Sequence, residues 1–183
     1  MTPEIKGHGY KLLEMDVRTG RLYPLFIGKD KATEPGTWLP AEDLPAKGFA
    51  HRPGWHVNVS APFAPQLLDR SGRYASRRGS HFRRVWCEVF YAKDIDYSAE
   101  LRRTGARDLG NRIPENGCYP YAGPNGTWMI SGALFIDRIL DDREVQSILE
   151  DAGIDYNRIA REFVEKRFRI RLPETWRLYE KQA

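Results

Sequence analysis

The spacing of apolar residues changes along the chain, and the changes mark out its elements. Apolar-rich runs at residues 10–16 and 22–27 flank Val17-Arg18-Thr19-Gly20-Arg21, with glycine where a left-handed turn residue is wanted. This pattern predicts an opening β-hairpin. Residues 28–47 contain Pro35, Gly36, Pro40 and Pro45, which exclude a long element and leave Trp38 and Leu39 as anchors. Val57-Asn58-Val59 predicts a short strand, ended by Pro62 and Pro65. The run 85–91, VWCEVFY, is rich in β-branched and aromatic residues and predicts the best strand of the chain. Residues 94–114 are polar and irregular, with room for one helical turn. Residues 118–121 and 128–136 flank Gly123-Pro124-Asn125-Gly126 and predict a second hairpin.

After Leu140 the period becomes helical. Asp141 with Glu144 has the spacing of a capping box, Val145, Ile148 and Leu149 form one face, and Gly153 suits the C-terminal stop. A second helix is predicted over 154–168, with Ile159, Phe163, Val164 and Phe168 turned inward, before Pro173 ends it. The expected fold class is α+β: one domain, with a compact, mostly antiparallel β body over 1–140 and two C-terminal helices within 141–172.

At 183 residues such a domain buries roughly 70% of its unfolded surface and needs no metal or disulfide to hold it. Cys87 and Cys118 lie outside any CxxC or Cys/His cluster, so they predict buried thiols and no metal site. No run approaches the roughly 20 apolar residues of a membrane span, and residues 1–10 lack a signal-peptide core, so the expected compartment is the cytoplasm. The net charge of +4 is unevenly spread: residues 70–112 carry eleven basic and five acidic side chains, whereas the flanking parts are balanced or slightly acidic.

The common phosphate-loop, dinucleotide, zinc-protease and hydrolase motifs are absent. Three features carry candidate chemistry. His51-Arg52-Pro53-Gly54-Trp55-His56 joins a guanidinium, two imidazoles and an indole at a Pro-Gly turn, where Arg52 would grip a phosphate and Trp55 would stack on a base, or the turn would simply plug the core. Strand alternation places Glu88 between Trp86 and Phe90, opposite the face of Val85, Cys87, Val89 and Tyr91. A carboxylate there is paired with a cation such as Arg52, points into a pocket that raises its pKa, or lies on a partly solvated face. The third feature is Arg70, Arg73, Arg77, Arg78, Arg83 and Arg84, with Tyr74, His81 and Phe82 interleaved and no acid from Arg70 to Cys87. On a solvated loop, that composition suits a phosphate backbone or a single strand.

The ordered segments GFAHRPGWH, APFAP, VWCEV, IDY, NGCYPY and TWMISGALFIDRIL resemble a small domain of bacteriophage and mobile-element proteins, including the large polyvalent ones. The resemblance implies a bacterial host cell but no established activity. The order of elements also resembles the ADP-ribosyltransferase fold, which would imply NAD as cofactor. It would place His8 or Lys11 on the first strand, Asn58 or Ser60 on the middle strand, and Glu115 before the final hairpin. Under that reading Glu115 or Glu88 stabilises the oxocarbenium charge, His56 is a further catalytic candidate, Arg52 or His56 holds the pyrophosphate, and Asn58 and Ser60 join Arg52 in binding the cofactor. The first expectation is instead a macromolecule binder, directed at nucleic acid or at a host nucleic-acid-handling complex, for example as a defence inhibitor. Arg77, Arg78, Arg83, Arg84 and Trp55 would make the contacts, and no membrane would be involved.

Overall fold

The computed structural model describes residues 2–26, 28–42, 54–104, 113–123 and 126–179. In chain order the elements are β1 (Lys6–Asp16), β2 (Leu22–Tyr23), β3 (Trp38–Pro40), β4 (Trp55–Asn58), a 3-10 turn at Pro65–Leu67, β5 (Phe82–Ala92), β6 (Ile95–Asp96), α1 (Ser98–Thr104), β7 (Gly117–Gly123), β8 (Gly126–Ser131), β9 (Ala133–Ile139), α2 (Asp142–Asp151) and α3 (Tyr156–Phe168). Among the described residues nine strands form one sheet, ordered β3-β9-β5-β1-β4-β8-β7-β6, with β2 paired to β1 beside this path. All described pairings are antiparallel except β6 with β7. The expected α+β class with a mostly antiparallel body is the observed one.

The sheet is rolled. Strands β8 and β9 are separated in sequence by Gly132 alone, yet β5, β1 and β4 lie between them in the sheet. A flat sheet would hold β3 and β4 roughly 19 Å apart, four spacings of about 4.8 Å. The Trp55 indole on β4 nevertheless donates to the Leu39 carbonyl on β3 at 2.9 Å, across the inside of the roll. Fully buried Ser131 fastens the closed end, its hydroxyl within donating distance of the carbonyls of Ala92 at 3.1 Å and Ala133 at 2.9 Å, its one proton going to either. Gly132 is required here because an added Cβ would lie 1.8 Å from the Pro114 carbonyl oxygen. The second predicted hairpin is present as β7 and β8, but the apolar run 128–136 is two strands, not one.

Alternation along β5 is as expected. Val85, Cys87, Val89 and Tyr91 point into the roll with Leu13, Met15, Val57, Met129, Leu134 and Ile136. Trp86 points outward with Leu12 and Trp128 into a second core, closed by α2, α3 and the tail residues Trp176, Leu178 and Tyr179. Both cysteines are buried thiols, and burial pushes Cys87 up to about 12 and Cys118 up to about 11.

The Asp141–Glu144 capping box forms as predicted. Gly153, at φ 67°, lets the chain turn away after α2. Helix α3 starts later than expected, at Tyr156 capped by Asp155, and buries Tyr156, Ala160 and Val164. Phe163 is only half-buried, with the Arg167 guanidinium 5.9 Å from its ring centroid, so the expected inner face is rotated toward Ala160. Among the described residues no helix is long and apolar enough to cross a membrane.

Candidate nucleic-acid interface

The arginine-rich segment divides into structural and exposed members. Arg84 is 9% exposed and reaches Glu14, 2% exposed, at 3.2 Å, while its Nη1 donates to the Leu67 carbonyl. Arg73 donates to the carbonyls of Arg177 and Leu178 and ties down the tail. Arg78 lies 4.5 Å from the centroids of both Tyr23 and Phe82, donates to the Lys29 carbonyl and sits 3.7 Å from Asp30. Arg78 and Arg84 therefore do not belong to a solvated loop as expected; both guanidiniums hold the body together. Arg70, Arg77 and Arg83 are exposed.

Topology brings these charges together with others. The Val17 N–H donates to the His81 carbonyl, and Asp16 and Met15 pair with Phe82 and Arg83. The 17–21 turn, carrying exposed Arg18 and Arg21, thus lies against the start of β5. Arg18 is hydrogen-bonded to Asp16, which holds that carboxyl below its usual value. Phe26 adds an exposed ring at 52%, and His81 packs on Phe82 at 4.6 Å.

Trp55 faces the other way. Its indole N–H is committed to the interior and the Lys11 ammonium lies 5.3 Å from its centroid, so the ring is only partly open for stacking. Lys11 itself donates to the His56 carbonyl at 2.9 Å, and burial pulls its amine down to about 8. His56 packs its ring on Tyr121 at 6.2 Å. Arg52 and His51 lie outside the described residues.

Glu88 stands on the outer face, as alternation required. Its partners are His8 Nε2 and Arg138 Nε, each at 2.7 Å, and Arg138 continues to Glu144 at the start of α2. Partial burial raises the Glu88 carboxyl, but these hydrogen bonds outweigh it and the net shift is downward, so of the three alternatives the cation-paired, partly solvated carboxylate is found and the pocket with a raised pKa is not. Arg138 reaches this face because the ladder shifts between Glu88 and Val89, leaving Asp137 bulged.

Among the described residues, those of the NAD reading are spread over several strands and the loops beside them. Asn58 spends its side chain locally: its amide donates to the Phe63 carbonyl, and its oxygen accepts from the Ser60 and Ala61 N–H groups. Ser60 is exposed. Glu115 lies at the closed end of the roll, its Cα 2.9 Å from a Cβ built on Gly132. Ser131 pairs with Trp55 there, and Asn58 is three residues farther along β4, about 10 Å away. His8 and Glu88 meet side chain to side chain at 2.7 Å. Sequence reasoning named Glu88 but missed Arg138 as its partner, because the bulge that turns it to this face leaves no short-range signal.

Comparison with known proteins adds no relative: no family model matches the chain, and no match was found among curated proteins or solved structures.

Proposed function

We propose that this protein acts by binding a phosphate-bearing macromolecule, nucleic acid in the first place, at the end of the roll formed by the 17–21 turn and the start of β5. The observation that supports this reading is the exposure of Arg18, Arg21, Arg77 and Arg83 around the Tyr23–Arg78–Phe82 stack. Guanidiniums on a surface interleaved with aromatic rings attract a polyanion and track its backbone. The local excess of basic residues over acidic ones in 70–112 acts in the same direction. The likeness to a phage and mobile-element domain gives this binding a biological setting, in which the target is host nucleic acid or a complex that handles it, and the protein restrains a defence system.

The test is binding of labelled DNA and RNA to wild type and to Arg77→Ala/Arg83→Ala, the exposed pair whose loss leaves the internal arginines in place. Each phosphate contact removed should lower the slope of log K against log salt by about 0.7 to 0.9. Equal affinity and equal salt slope for the two proteins would sink the reading.

A further inference from the structure

The outer face of the sheet carries a second feature. Register pairs Trp38 with Phe135, Phe135 with Phe90, and Phe90 with His8, so four rings from β3, β9, β5 and β1 stand in one row across the strands. Their centroids are 5.7, 6.3 and 5.8 Å apart in that order. The large rings of Trp38, Phe90 and Phe135 belong to none of the buried clusters, and each remains partly open to solvent; His8 is 44% exposed. Lys6 holds its ammonium 5.8 Å over Trp38 at one side of the row. Arg138 and Glu88 form the next rung on the other side.

From this we infer that the row is a stacking platform for the unpaired bases of single-stranded nucleic acid, a conclusion that rests on the nucleic-acid reading above and narrows it. Every base offers a π-face, so a line of rings on an open sheet takes bases without selecting sequence. The separation of the rings exceeds the roughly 3.4 Å repeat of a stacked strand, so it suits a strand drawn open rather than a duplex. Lys6 supplies the charge complementarity that a purely apolar partner would not require. Strand β5 joins the two surfaces, with Phe82 and Arg83 at its start and Phe90 near its end. The row crosses β5 at Phe90, so a strand following the rings would run across the sheet from β3 to β1.

Three probes separate the possibilities: an oligothymidylate, an abasic phosphodeoxyribose chain of equal length, and duplex DNA, each read by fluorescence anisotropy. Wild type should bind the oligothymidylate at least about tenfold more tightly than the abasic chain. Phe90→Leu/Phe135→Leu keeps apolar bulk while removing two rings. It should weaken oligothymidylate binding roughly ten- to hundredfold and leave abasic binding unchanged. Equal wild-type affinity for the oligothymidylate and the abasic chain, or for the oligothymidylate and the duplex, overturns the platform while leaving the arginine surface standing. So does a double variant that melts like wild type and binds like it. The wild-type comparison decides the matter even if the double variant fails to fold. Absence of binding to all three probes removes both proposals.

Discussion

Arg84 and Glu14 face each other across the β1–β5 ladder with Nε 3.2 Å from Oε1, both almost wholly out of water. A buried pair of this kind contributes little compared with an apolar pair of the same volume, but breaking it strands a charge. Arg84→Ala should therefore cost about 3–5 kcal/mol in urea denaturation, whereas exposed Arg77→Ala should lie within about 0.5 kcal/mol of wild type. A mild Arg84 variant would mean that Glu14 is relieved in some other way.

Lys11 gives a pH signature. Its folded pKa of about 8 lies below the ordinary lysine value of 10.5, so the unfolded state binds more protons between those limits. The folded protein carries this penalty in full below pH 8 and sheds it as the pH rises toward 10.5. Lys11→Met should accordingly be more stable than wild type at pH 7, and the gap should narrow from about pH 8 and close only above pH 10.5. Thermal melts of the two proteins across that range will show it; a gap that stays constant with pH would show that Lys11 is not desolvated.

Gly132→Ala should be among the most damaging small substitutions in the chain. The new methyl would overlap the Pro114 carbonyl where β8 turns into β9, and backbone rather than a flexible side chain must yield. The expected loss is about 3 kcal/mol or more. Near-wild-type stability would mean that the closed end of the roll is looser than its hydrogen bonds to Ser131 indicate.

The helical layer can be tested at two positions. Leu149 is fully buried against the outer core, and Leu149→Ala should cost about 2–5 kcal/mol. Phe163→Ala, at a half-buried site beside Arg167, should cost less than about 1 kcal/mol. Reversed magnitudes would mean that α3 is turned about its axis relative to the packing described.

What the sequence disclosed follows the range of the forces involved. Alternation in VWCEVFY sorted Trp86 and Glu88 from Cys87 and Val89 because side-chain direction in a strand is a local property. The capping box of α2 was readable because Asp141 and Glu144 sit within one turn. The break at Gly132 was not readable, since an apolar run around a glycine looks like one strand until both neighbours of the roll are known. The fate of the arginines was hidden for the same reason: Arg84 finds Glu14 seventy residues away, and Arg73 finds the carbonyl of Leu178 across 105. At the candidate site, the arginine-rich segment and Glu88 were visible as composition. The ring row was not, because its four members come from four strands and only register aligns them.

The double service of residues 126–139 also has a kinetic meaning. One half of this stretch pairs with β4 and the other with β5, so neither side of the roll can be completed without it. The pairing of β1 with β5 already joins residues as far apart as Lys6 and Ala92, and such distant contacts make for folding in milliseconds to seconds rather than microseconds. During synthesis the ribosome must deliver residue 139 before the roll can shut. Until then β5 and β4 stand as open edges on either side of β1, and the nascent chain should depend on chaperones over that interval.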